Sequence, residues 1–112
     1  MNTKIAKWTY NEFITFLLIH ASYADLEFTE PERQAILMLV SQELFDEIYA
    51  YYNILGEYEK LEVIMTCKDR FILNQDDKLK MMNLLSDQFI ADGVVTKLEL
   101  LLMNFLDRLI EV

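Results

Sequence analysis

One cysteine, one proline, two glycines and one histidine among 112 residues leave several classes of protein without their raw material. A lone Cys67 forbids an intrachain disulfide, and nothing in cysteine usage points to an oxidising compartment. No Cys/His cluster surrounds it, so Cys67 reads as a small buried apolar residue on a helix. Scarce glycine and proline, with 54% hydrophobic residues, favour one compact fold of helices joined by short turns. No alternating apolar run supports a sheet. Basic residues are also few, ten against nineteen acidic, and the formal charge of −9 opposes contact with nucleic acid or anionic lipid. A cation, a basic protein surface or plain solubility accounts for the acidic excess.

Long hydrophobic runs are missing as well. Lys4 and Lys7 before Phe13-Ile14-Thr15-Phe16-Leu17-Leu18-Ile19 faintly mimic a signal peptide. That stretch is short and abuts Glu12, and no run approaches the roughly 18 apolar residues of a membrane span. The expectation is a cytoplasmic protein that does not span a membrane.

What is present is a set of helix starts. Thr9-Tyr10-Asn11-Glu12 is a capping box and opens a first helix over about Tyr10 to Ser22. Phe13, Phe16, Leu17 and His20 share one stripe, with Ile14, Leu18 and Ala21 beside it, which predicts a central helix. A second helix starts beyond Thr29 with Pro31 in its first turn. It carries Ile36, Leu37, Leu39 and Val40 to about Gln42, and Ser41 to Leu55 is either its continuation or a third helix stopped by Gly56. A fourth covers about Glu57 to Leu73, with Leu61, Ile64, Met65, Lys68, Phe71 and Ile72 near one face. Asn74 caps a fifth, with Asp76 and Asp77 in the first turn and a stripe of Leu79, Met82, Leu85 and Phe89. The last opens at Thr96 and is apolar on more than one side. It is expected to be the buried centre of the second half, with a dimer contact as the alternative.

Two of these starts repeat. Tyr23-Ala24-Asp25-Leu26-Glu27-Phe28-Thr29-Glu30-Pro31-Glu32 aligns without a gap on Ile90-Ala91-Asp92-Gly93-Val94-Val95-Thr96-Lys97-Leu98-Glu99, because 92−25, 96−29 and 99−32 all give 67. Each copy offers a loop aspartate and a glutamate in the first turn of the next helix, which suggests two related half-domains. An Asp carboxylate, turn carbonyls and a glutamate converging on one turn can hold a hard cation. The spacing is too short for an EF-hand, and Gly93 permits the backbone an Asp-Gly turn often adopts whereas Leu26 does not. Capping alone is the competing explanation, since Glu32 and Glu99 occupy the capping-box position and the positive helix end disfavours a cation.

These two segments, Ala91 to Glu99 and its partner Ala24 to Arg33, resemble the repeated acidic signature of the TerB-like, tellurite-resistance-associated family. The resemblance implies a single bacterial helical domain over 1–112, all-α, a compact bundle of about six helices in two related halves. It further implies a role in stress-response or membrane-linked assemblies rather than as an enzyme, and a divalent cation, calcium or magnesium, at the acidic positions. Asp25, Glu32, Asp92 and Glu99 match those positions, while Leu26 stands where the family usually has glycine.

Other chemistry is thin. His20 lies five residues before Asp25 and reads as a buried or helix-end histidine bonded to a carbonyl. No recognisable nucleophile, phosphate loop or metalloprotease pattern occurs. Tyr49, Tyr51, Tyr52 and Tyr58 cluster around Gly56, where ordinary packing at the rim of the core is the expected role; a protein-partner surface at this corner, together with Glu43, Asp46 and Glu47 beside it, is the alternative. The expected function is a non-enzymatic binding or scaffold domain with no catalytic residues. A metal-free homodimeric interaction module and a metal-assisted hydrolase using His20 remain as alternatives.

Overall fold

Residues 5–23, 28–90 and 97–109 are described by a computed structural model. A 3-10 turn over Ile5–Lys7 leads into α1 (Tyr10–Ser22), followed by α2 (Glu30–Leu37), α3 (Gln42–Ile54), α4 (Glu57–Phe71), α5 (Gln75–Phe89) and α6 (Lys97–Leu109). The fold is all-α, and the Cα radius of gyration of 13.1 Å matches the roughly 13 Å expected of a compact chain of this length.

α1 is the hub. Thr9 caps it, its Oγ1 accepting from the Glu12 N–H at 3.4 Å while the Thr9 N–H donates to Glu12 Oε1 at 3.0 Å. Seven consecutive residues, Phe13 through Ile19, are buried, so the helix has no wet face along that stretch. Such a helix is stable only when surrounded. α2, α3, α4, α5 and α6 all pack against it.

The helix starts are set by local chemistry. Thr29 caps α2, Ser41 Oγ accepts from the Leu44 N–H at 3.2 Å at the start of α3, and Asn74 Oδ1 accepts from the Asp77 N–H at 2.9 Å at the start of α5. The Ser41 cap separates α2 from α3, which are two helices rather than one. Gly56 does not stop α3 in a left-handed conformation. Its φ of −78° places it as the N-cap of α4, where its N–H donates to Glu59 Oε1 at 2.8 Å.

The helix positions keep the repeat offset. α1 ends at Ser22 and α5 at Phe89, α2 begins at Glu30 and α6 at Lys97, and both 89−22 and 97−30 give 67. Within each pair the helices touch, α1 with α2 and α5 with α6, and α1 packs on α5 across the halves. Lys78 ties the second pair at its far end, 3.1 Å from Asp107 Oδ1 and 2.8 Å from the Asp107 carbonyl. Arg70 fastens the N-terminal turn to α4 by donating to the Ile5 and Trp8 carbonyls at 2.8 Å each.

Three faces differ from the expected ones. α4 buries Val63, Ile64 and Cys67 and leaves Met65 exposed; α5 buries Met81, Leu85, Gln88 and Phe89 and turns Leu79 outward. α6 is peripheral, with Leu106 and Glu99 buried but Leu100, Leu101 and Phe105 about half-exposed, so it is not the centre of its half. The reason is common to all three: apolar residues fall on more than one side of each helix, and the neighbour it meets decides which side is dry.

Leu17 is fully buried in the hub, and Leu101 is not. Leu17→Ala should therefore lower unfolding free energy by about 2–5 kcal/mol in urea titrations, against about 0.5 kcal/mol or less for Leu101→Ala. Equal losses would contradict the central placement of α1.

Candidate functional site

The four acidic residues singled out in the sequence divide two and two. Asp25 and Asp92 lie outside the described residues, whereas Glu32 and Glu99 are each 1% exposed at the first turns of α2 and α6. Glu32 Oε1 accepts from both the N–H and the Oγ1 hydroxyl of Thr29 at 2.9 Å, and Thr29 Oγ1 accepts from the Glu32 N–H at 3.4 Å. The reciprocal cap expected there is present, and it uses one carboxylate oxygen. Among the described residues no three His, Cys, Asp or Glu side chains converge as a metal site would need.

A comparison of the capping glutamates separates them. Glu12 and Glu59 reach back to helix-start N–H groups in the same way, yet Glu12 is half-buried and Glu59 exposed. Among the described glutamates only Glu32 and Glu99, each seven residues after an aspartate in the sequence, are sealed from water. Removing a carboxylate from water costs several kcal/mol unless partners replace the lost hydration. A cap works as well at the surface, so the burial of Glu32 and Glu99 goes beyond what capping requires.

A polar junction the sequence reading missed sits beside Glu32. Buried Gln88 near the end of α5 donates through Nε2 to Ser22 Oγ and to the Glu32 backbone carbonyl, both at 2.8 Å. Ser22 Oγ in turn donates to the Leu18 carbonyl at 2.8 Å. The last turn of α1, the first turn of α2 and the last turn of α5 are thus joined by one amide. A signal was available: Gln88 falls three residues after Leu85 and seven after Met81, a polar residue on an apolar stripe.

An aromatic cluster joins the residues on either side of the first acidic segment. Tyr23, before the loop, stacks on Tyr52 (centroids 5.6 Å apart, planes 7° apart), and its hydroxyl lies 2.9 Å from that of Tyr49. Phe28, after the loop, contacts Tyr23, Phe45 and Tyr49. His20 Nδ1 meets the Tyr52 hydroxyl at 3.0 Å, not a carbonyl as expected, and the Lys60 ammonium sits 4.2 Å from the Tyr52 ring centroid. Three of the four tyrosines near Gly56 therefore face inward, and only Tyr58 is exposed, at 75%.

These surroundings suppress ionisation. Burial, then the hydrogen bond to Tyr49, pushes the Tyr23 phenol up to about 12, and burial lifts the Cys67 thiol to about 11, which makes it a poor nucleophile. Burial lowers the His20 pKa below its ordinary value; Glu57 opposes the shift and Lys60 reinforces it.

Clefts open at two places away from the acidic segments. One, of about 300 Å³, lies at the α2–α3 turn beside Met38, Leu39 and Leu44. The other, of about 190 Å³, lies between the end of α3 and α4 and is lined by Tyr51, Glu59 and Glu62 among others. Neither is lined by His20, so neither supports the hydrolase reading. No helix among the described residues is long and apolar enough to cross a membrane. No family model, characterised protein or solved structure matches the chain.

Two predictions follow the geometry. Gln88→Leu removes both bonds of the buried amide and should cost about 1–3 kcal/mol of stability in chemical denaturation, and a loss no larger than that of a surface control would make the junction incidental. His20 has a lower pKa folded than unfolded, so its stabilising contribution is fully present above about pH 6.5 and is lost as pH falls through the folded value. The melting temperature should accordingly fall more for the parent than for His20→Gln between about pH 7.5 and about pH 5. Parallel curves would contradict that assignment.

Proposed function

We propose that this chain is a non-enzymatic, cytoplasmic binding or scaffold domain of the TerB-like, stress-associated kind, whose acidic loops hold a divalent cation. The observation that supports the reading is the burial of Glu32 and Glu99, each 1% exposed, whereas the capping glutamates that lack an upstream aspartate are only half-buried (Glu12) or exposed (Glu59). A hard cation such as calcium or magnesium takes carboxylate and carbonyl oxygens. Asp25 with Glu32, and Asp92 with Glu99, supply carboxylates from the loop and from the following helix. The positive end of the helix opposes a cation, so the loop aspartate and turn carbonyls carry most of the attraction.

Such an ion would cross-link the end of one helix to the start of the next in each half. The Gln88 junction already fixes the first of these ends to α5, so an ion bound there would be felt on both pairs of helices. Scaffolding follows from that rigidity: a partner reads a surface whose shape depends on the ion. A metal-free homodimer is the second reading, favoured by the exposed Leu100, Leu101 and Phe105 of α6.

Calorimetric titration with calcium, magnesium and manganese separates the two. The parent should release or absorb heat and melt at a higher temperature with at least one ion, and Asp92→Asn combined with Glu99→Gln should lose both responses while keeping its helical circular dichroism. No heat and no melting shift in the parent would end the cation reading. A concentration-dependent dimer in sedimentation, broken by Leu101→Glu, would then favour the second.

A further inference from the structure

The cleft between α3 and α4 carries a separate assignment, independent of the acidic loops. Ile5, Leu55, Val63 and Tyr51 give it an apolar part, and α4 adds Glu59, Glu62 and Thr66. Glu59, Glu62 and Val63 stand at i, i+3 and i+4, so both carboxylates and the apolar contact share one helix face. Like charges one turn apart repel, and a cation between them reverses the sign of that interaction.

No cation of the described chain fills that place. Lys60, the nearest in sequence, lies over the Tyr52 ring and pairs with Glu57 at 3.0 Å, and Arg70 is taken up by the Ile5 and Trp8 carbonyls. Glu59 uses Oε1 to cap α4, while Glu62 makes no hydrogen bond or ion pair with the described residues.

The rim adds a second observation. Ile54 and Tyr58 flank Leu55 and Glu59 at the same corner and are 77% and 75% exposed, among the most exposed large apolar side chains described. A cleft of about 190 Å³ with an apolar part and two carboxylates suits an aliphatic stem ending in an ammonium. The exposed isoleucine and tyrosine lie outside the cleft, where a free amine would leave them uncovered and a polypeptide would not. The net charge of −9 draws basic partners over longer range.

We propose that this corner is a docking site for a protein partner, with a lysine side chain seated in the α3–α4 cleft against Glu59 and Glu62 and the residues around it covering Ile54 and Tyr58. The apolar part takes the methylenes, and Glu62 provides the principal counter-charge.

Nuclear magnetic resonance titration of the full chain tests this with a capped pentapeptide holding lysine between leucines. Controls are the same peptide with norleucine for lysine, and n-butylammonium alone. The lysine peptide should shift the amides of Tyr51, Tyr58 and Val63, bind at least roughly tenfold more tightly than the norleucine peptide, and weaken as salt rises. Glu62→Gln, an exposed change that should leave the spectrum otherwise native, should weaken binding by roughly tenfold, and Tyr58→Ala should weaken the peptide but not butylammonium. Norleucine binding as well as lysine, or an unchanged affinity in Glu62→Gln, would overturn the proposal. Butylammonium matching the peptide would overturn the protein partner in favour of a small amine.

Discussion

Everything in this fold depends on enclosing α1. A helix buried without interruption from Phe13 to Ile19 cannot present a side to water, so the chain must place helices all round it. α3, α4 and α5 supply most of that enclosure, and α2 and α6 close the remaining gaps. The helix ends that precede the two acidic segments are positioned as a consequence. α5 packs on α1, and Gln88 near the end of α5 bonds to Ser22 at the end of α1 and to the Glu32 carbonyl.

Charge is distributed unevenly over this frame. Most of the described acidic side chains are solvated, and the lysine ion pairs, Lys60 with Glu57, Lys68 with Asp69 and Lys78 with Asp107, each join a largely covered lysine to an exposed carboxylate at the rim, where such contacts add little stability. Two glutamates break that pattern by being sealed at helix starts. The proposed ion sites and the proposed lysine cleft express the same physics at different depths: carboxylates left close together on an acidic protein create a demand for positive charge. In the proposed reading an ion held by oxygen ligands would meet that demand at the loops, and a lysine with its hydrocarbon stem would meet it at the α3–α4 corner.

Helix starts were legible because capping is local. Thr9, Thr29, Ser41 and Asn74 each bond a backbone N–H three residues on, and α1 and α5 begin where those side chains announce them. α3 ends just before Gly56 as its glycine suggests, but the second role of Gly56, as the N-cap of α4, shows only in the Glu59 carboxylate reaching back to its N–H. The faces of α4, α5 and α6 were read less well. Where apolar residues cover much of the circumference, periodicity names several candidate faces of similar hydrophobicity. Leu79 and Met65 belong to such faces and ended in solvent, while Gln88, polar and unpromising, ended inside because Ser22 and the Glu32 carbonyl satisfy it.

The sequence by itself determined the helical class, the places where helices begin, the central role of α1 and the recurrence of an acidic start 67 residues apart, because each follows from interactions within one turn or from the composition of one segment. Tertiary structure alone decided which helix faces are dry, that Glu32 and Glu99 are buried while Glu12 and Glu59 are not, that His20 meets Tyr52, and that Glu59 and Glu62 line a cleft with Ile5 and Val63. Those facts depend on contacts between residues far apart in the chain. Burial is a property of the neighbours a side chain acquires, and the residue's own chemistry does not specify them.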